Sequence, residues 1–248
     1  MRERTRLLIW RLLIVLGGLL LVEGAVRGGW INPFFLAAPS QAAEILWSQL
    51  VSGRVLLMTL ITLYEIGAAL LGSTVVGVLA GLLLWRYRYL GESYEMLLAA
   101  LFASPLVLLY PIFLVVFGRT PAAIITLSAV FGLIPIAINT RSAFQHINPV
   151  LVRVGSSMNL SRRQMFRHIL IPAAAPTLFS GFRLGLTYIL KSVIGLEYIV
   201  QVGGIGMWVS DSAYRFEIGE VYAGLLGTIL LSLAFLYVIN WTEGWVRR

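Results

Sequence analysis

The sequence predicts an all-α integral membrane protein with six transmembrane helices and one cytoplasmic loop that folds into two short helices. Three observations carry this. Of 248 residues, 59% are apolar and only 12% charged, with a mean hydropathy of +0.88, against about 45–50% and 25% in soluble domains. The apolar residues fall in runs long enough to cross a bilayer. The longest polar interruption, residues 148–172 (NPVLVRVGSSMNLSRRQMFRHILIP), contains complete helix start and stop signals.

The same composition excludes other classes. A net charge of +8 would suit nucleic acid if the basic residues formed one stripe, but they are dispersed between apolar runs and report topology instead. The chain has no cysteine, which rules out disulfides, thiolate metal sites and cysteine nucleophiles. Its two histidines, His146 and His168, are too few for a histidine metal cluster. No metal site is expected.

The chain is read as one transmembrane domain, 1–248. Its first span, about 7–26, follows the basic start MRERTR, with Arg11 and Glu23 near its ends, where they can snorkel. A cleaved signal peptide is the rival reading, but the run is long for one and lacks a small-residue cleavage site. Residues 27–54 form a loop whose piece 43–50 is amphipathic and suits the interface. The second span, about 55–85, extends roughly 46 Å and must tilt or project beyond the hydrocarbon. The third, about 94–117, contains Pro105 and Pro111, each removing a backbone hydrogen bond, so it is expected to be broken or kinked. A GRTP turn leads to the fourth span, about 121–140, with Pro135 inside. The fifth, about 173–200, follows the polar loop, and the sixth covers about 218–241.

Arginine placement sets the orientation. With the N-terminus cytoplasmic, Arg2, Arg4, Arg6, Arg11, Arg86, Arg88, Arg141, Arg153, Arg162, Arg163, Arg167, Arg247 and Arg248 lie inside, against Arg27, Arg54, Arg119 and Arg215 outside. Both termini and the 148–172 loop are then cytoplasmic.

Within that loop, Asn148 caps a first helix and Pro149 suits its first position, where a missing N–H costs nothing. Asn159 closes it, because Asn is among the few residues besides Gly that accept the left-handed conformation. Ser161 and Gln164 form a capping box for a second helix, flanked by Leu160 and Met165 as a hydrophobic staple. This helix is expected to end near Ile171, before Pro172. The first helix offers Leu151, Val154 and Met158 on one face, and the second offers Met165, Phe166, Ile169 and Leu170 beside Arg162, Arg163 and Arg167, which reads as a surface for a partner. The plain alternative is an ordinary basic connection between two spans.

The loop resembles the segment that marks the membrane subunits of binding-protein-dependent ABC importers, Glu-Ala-Ala, three residues, Gly, nine residues, Ile, any residue, Leu-Pro. Anchored on Ile169 and Pro172, Arg153, Val154 and Gly155 take the Glu-Ala-Ala positions and Asn159 the Gly; Arg153 reverses the expected charge, while Asn159 keeps the left-handed turn. SPLVLLYPIFLVVFG (104–118), Pro135, Asn139-Thr140, PAAAPTLFSGFRLGL (172–186), Glu197 and GGIGMWV (203–209) are similar to the nitrate, sulfonate and taurine branch. The likeness covers about residue 36 to the C-terminus. It implies a type I ABC importer permease in the bacterial inner membrane, working as a homodimer or with a close paralogue. It also implies two cytoplasmic ATPase subunits docking on 148–172, an extracytoplasmic substrate-binding protein, and a small anionic or polar organic solute such as a sulfonate, taurine or nitrate. The ATPase-coupling residues would be Arg153, Asn159, Ser161, Arg162, Arg163, Phe166, Arg167 and Pro172, with the Phe166 ring entering a groove on the partner.

No phosphate-binding loop occurs in the chain: its only lysine, Lys191, follows Leu190 where such a loop demands Gly. ATP and Mg therefore belong to a partner, this chain needs no cofactor, and it is not expected to be an enzyme. Glu65, Arg183, Lys191 and Glu197 fall inside or near spans, where ionisable groups normally face a bundle interior, a cavity or each other. Lys191 and Glu197 lie on nearly opposite faces of their helix, whereas Arg183 and Lys191 can share one. These four are candidates for the translocation path, or they pair across helices; in the resembling family the Glu65 position is usually Arg and the Lys191 position apolar. Gly203, Gly204 and Gly206 precede an amphipathic stretch, 207–215, on the outer side, which the resemblance implies is a re-entrant or surface segment at the outer mouth; Gly67, Gly72, Gly77 and Gly81 are expected to permit close helix packing. A secondary transporter or channel without an ATPase is the alternative function, and a membrane-embedded enzyme is less favoured because no paired catalytic carboxylates or ligand spacing stand out.

Overall fold

The computed structural model describes residues 2–246, with side chains described from Arg6 to Thr242 apart from Leu8. Arg247 and Arg248, used above for orientation, lie outside the described residues, as do the side chains of Arg2 and Arg4. In chain order the helices are α1 (Arg2–Arg27), α2 (Pro39–Val51), α3 (Arg54–Arg86), α4 (Arg88–Ala103), α5 (Tyr110–Phe117), α6 (Pro121–Gln145), α7 (Pro149–Ser157), α8 (Arg162–Met165), α9 (Ile171–Val200), α10 (Gly204–Tyr214) and α11 (Ile218–Val246). No strand occurs among the described residues.

Five stretches among the described residues are long and apolar enough to cross a membrane, and a sixth crossing results if α4 and α5 count together. The third span is not straight. A helix that stops at Ala103 gives way to Ser104-Pro105, a 3₁₀ turn (Leu106–Leu109) and then α5, bent by 89° from α4. Pro105 and Pro111 explain the break, since neither can donate to the preceding turn.

The core forms where α3, α6 and α9 cross. Ile66 and Ala69 of α3, Ile124 and Leu127 of α6, and Ile189, Val193 and Leu196 of α9 are buried together. Small residues set the approach. A Cβ added to Gly77 would stand 2.9 Å from Ile136 Cγ2, and one on Gly81 would stand 2.5 Å from Thr140 Cβ. Gly67, by contrast, faces open space and Gly72 barely touches Ala129, so only half of the expected glycine stripe packs. At the interior Pro135, Asn139 Nδ2 donates to the Pro135 carbonyl at 2.8 Å.

α2 is more than an interfacial strip, because Ala42 and Leu46 are buried and Leu46 packs with Val55, Ile205, Trp208 and Ala223. Of the two readings of the segment after the glycines, re-entrant or surface, the surface one does not hold. α10 is inserted among α3, α9 and α11, with Ile205, Trp208, Val209, Ser210 and Ser212 buried, because Trp208 Nε1 and Ser212 Oγ both donate to the Glu220 carboxylate of α11. α1 stands apart. It meets the body through the Arg27–Glu23 pair and Ser40, whose N–H and hydroxyl both donate to Glu23. Its flank from Leu7 to Leu21 is largely exposed and apolar.

Candidate functional site

The polar loop is built as its local chemistry requires. Asn148 Oδ1 accepts from Val150 N at 2.9 Å, and Pro149 opens α7. Asn159 has φ +56°; its N–H reaches Ser156 O at 3.0 Å and Leu160 N reaches Gly155 O at 3.2 Å, the paired bonds of a Schellman closure. Ser161 then starts α8 with a full capping box: its N–H donates to Gln164 Oε1 at 2.9 Å, and Gln164 N donates to Ser161 Oγ at 3.4 Å. Gly155 lets the two helices touch, since a Cβ there would stand 2.7 Å from Met165 Cε.

One feature differs from expectation. α8 does not end at Pro172 but runs through a π turn, Phe166–Leu170, straight into α9. Ile171 N donates to the Phe166 carbonyl, and this one wider turn absorbs the donor that Pro172 lacks. The Phe166 ring points into the protein. It stacks on buried Phe144 of α6, with centroids 5.8 Å apart and planes 4° from parallel, and is left half-exposed. The outward apolar surface of the loop is Val150, Leu151, Val154 and Met158, all exposed. The exposed Arg153 stands on α7, and the exposed Arg162, Arg163 and Arg167 on the segment after it. Leu151, Val154 and Met158 are the face that helical spacing assigns to the first helix, and Val150 joins them.

The four interior ionisable candidates separate. Glu65 and Glu197 are 0% exposed, and their carboxyls approach each other between α3 and α9. Glu197 Oε2 accepts from Gly206 N at 2.8 Å, and Thr62 Oγ1 accepts from Ile205 N at 3.0 Å. The two side chains thus cap the N-terminus of α10, where an acceptor is favoured. Gly204, with φ +80°, leaves no room for a side chain beside the Glu197 carboxyl. Arg119 fastens the same corner, donating from Nε to the Val200 carbonyl at 2.6 Å.

Lys191 is exposed and Arg183 half-buried on α9. The Lys191 ammonium lies 5.8 Å from the centroid of the Tyr188 ring. A cavity of about 250 Å³ opens there, lined by Val107, Phe131, Tyr188, Lys191, Ser192 and Gly195. At the loop end, Arg141 of α6 is buried and ion-paired with Glu95 of α4. No group of three metal-ligating side chains converges among the described residues.

A bundle of apolar crossings, joined at one end by a rigidly capped helical pair that continues into a spanning helix, defines a membrane permease rather than a soluble or single-pass protein. The chain belongs to the family described as binding-protein-dependent transport system inner membrane component, whose profile matches residues 73–248. It is therefore an ABC importer permease subunit, and it resembles nitrate and sulfonate permeases among its relatives. Over 238 residues it is 23% identical to a probable ABC transporter permease protein of Haemophilus influenzae, covering 92% of this chain and 93% of that one. It is 25% identical over 177 residues to the nitrate import permease protein NrtB of Synechocystis sp., covering 68% of this chain and 63% of that one. Its fold is similar to that of a chain of the MetNI methionine ABC transporter in an inward-facing conformation, with a TM-score of 0.67 at 19% identity over 78% of this chain and 96% of that one. The type I importer fold follows.

Proposed function

We propose that two copies of this chain, or one copy and a close paralogue, form the translocation pathway of an ATP-driven importer in a bacterial inner membrane, with both termini in the cytoplasm. ATP and Mg are held by two cytoplasmic ATPase subunits, which dock on residues 148–172. A substrate-binding protein delivers a small anionic or polar organic solute at the opposite end, near α10. The chain itself carries out no hydrolysis. One observation carries this reading: α7 presents an exposed apolar strip, with exposed arginines on α7 and on the segment after it, and α8 continues into α9. A push on that strip moves a spanning helix, and that is what alternating access requires. Arg153, Arg162, Arg163 and Arg167 meet acidic side chains of the partner; Asn159, Ser161 and Pro172 hold the geometry; Phe166 ties the loop to α6.

The test is assembly and coupling. The full chain, co-expressed with the ATPase encoded beside it, is expected to copurify with that subunit and to show solute-dependent ATP hydrolysis in proteoliposomes. Met158→Asp, on the exposed strip, should abolish both. Transport by the chain alone, driven by an ion gradient and indifferent to ATP, would instead establish the secondary-transporter reading.

A further inference from the structure

Lys191 is the only lysine in the chain, and it stands in a spanning helix nine residues, about 14 Å, from the Val200 end. An ammonium at that depth is costly unless water, a counter-charge or a ligand lies beside it. The two buried carboxyls of this region are turned away: Glu65 and Glu197 meet each other on the opposite side of α9. Arg119, the nearby cation, is committed to the Val200 and Gln201 carbonyls. No ion pair to Lys191 occurs among the described residues. What the ammonium does have is the Tyr188 ring at 5.8 Å, within the range of a cation–π contact, which holds it in place without neutralising it. Tyr188 is itself buttressed by Phe102, with ring centroids 4.6 Å apart.

Val107, Phe131 and Tyr188 make the cavity beside this ammonium apolar, and since the Ser192 hydroxyl is bonded to Ser128 the one charged group beside it is Lys191. An inorganic anion would satisfy the ammonium and leave the aromatic wall bare, whereas a neutral apolar solute would do the reverse. At about 250 Å³ the space falls below the roughly 300–1,000 Å³ of drug-sized sites. We infer that this cavity is where α9 recognises an organic anion. A carboxylate or sulfonate group sits on the Lys191 ammonium, and a body no larger than one ring or a short chain rests against Tyr188, Phe131 and Val107. This rests on the permease reading for its meaning, and it makes Lys191 and Tyr188 specificity-determining residues of that pathway.

The natural absence of cysteine gives a test that needs neither the ATPase nor the identity of the solute. Gly195 lies one turn from Lys191, lines the cavity, and has nothing within 4 Å of where a Cβ would stand, so Gly195→Cys is tolerated sterically. In the full chain in proteoliposomes, that thiol is treated with sulfonatoethyl methanethiosulfonate or its trimethylammonioethyl counterpart. Lys191→Gln is expected to lower the ratio of anionic to cationic modification rates by about tenfold or more, as loss of a focused charge should. Benzenesulfonate is expected to protect the thiol when Lys191 is present and not in Lys191→Gln. Failure of both reagents to reach Gly195→Cys overturns the inference, as does a rate ratio unchanged by Lys191→Gln. Equal protection by chloride at the same concentration overturns its organic half. Loss of ATPase coupling in loop variants would bear on the permease reading alone and leave these rates unchanged.

Discussion

Glu65 of α3 and Glu197 of α9 face one another inside the bundle, both wholly buried. Neither oxygen of Glu65, nor Oε1 of Glu197, has a hydrogen-bond donor among the described residues. An amide in place of the Glu65 carboxyl donates to Glu197 without depending on a proton held between the two, and keeps the shape. Glu65→Gln is therefore expected to stabilise the protein by about 1 kcal/mol, the net worth of one hydrogen bond, or about 2–4 °C in the melting temperature of the purified chain. Glu197→Ala should destabilise it, because Gly206 N would be left buried without an acceptor. A lower melting temperature for Glu65→Gln would show that its carboxyl has a partner of its own.

The Schellman closure at Asn159 orders a substitution series. With φ at +56°, Gly reaches the conformation freely and Asn tolerates it, while a β-branched side chain is strained by on the order of 1–3 kcal/mol. Coupled ATPase activity should rank Asn and Gly highest, Ala lower and Val lowest, with membrane insertion unchanged. Equal activity for Val and Gly would mean that the turn does not set the angle between α7 and α8.

Phe166 and Met158 should fail differently. Phe166→Ala removes the stack on Phe144, worth roughly 0.5–1.5 kcal/mol beyond burial, and loosens the loop from α6. ATP hydrolysis should persist in the assembled complex while transport per ATP falls. Met158→Ala trims only the exposed strip, so its expected effect is weaker recovery of the ATPase in detergent. If Phe166→Ala releases the ATPase as readily as Met158→Ala, the ring contributes to the partner interface after all.

Topology can be read with single cysteines at well-exposed sites. Trp30→Cys and Tyr214→Cys, 89% and 73% exposed in the native chain, should react with an impermeant reagent added outside cells. Tyr89→Cys, at 87%, and Ser157→Cys should react only after permeabilisation. External labelling at 89 or 157 would invert the assigned orientation and move the loop away from cytoplasmic ATP.

What the sequence disclosed follows from the range of the forces involved. The caps at Asn148, Asn159 and Ser161 are local contests over backbone hydrogen bonds, and so the residue types alone announce them. Pro105 and Pro111 announced a break for the same reason, though not its 89° angle, which depends on packing. The π turn before Pro172 went unseen: a proline there normally ends a helix, and only the competing continuity of α9 makes a wider turn the better solution. The meeting of Glu65 with Glu197, the inward turn of Phe166 and the burial of α10 are all contacts between residues far apart in the chain, where spacing carries no information. The same holds for Lys191, whose face was predictable from helical geometry but whose cavity needed Val107 and Phe131 brought in from other helices.

The unbroken course from Arg162 to Val200 covers 39 residues, about 58 Å of helix. A rod of that length is a crank. If it pivots near its Val200 end, a 5° swing displaces Arg162 by about 5 Å, one helical turn, but shifts Lys191 by only about 1 Å; if it pivots at the loop, the proportions reverse. The π turn and the interior Pro176, which donates nothing to the turn before it, are where the backbone of the crank has slack, so the ratio between the stroke delivered at the arginines and the stroke felt beside Lys191 is set between Phe166 and Pro176.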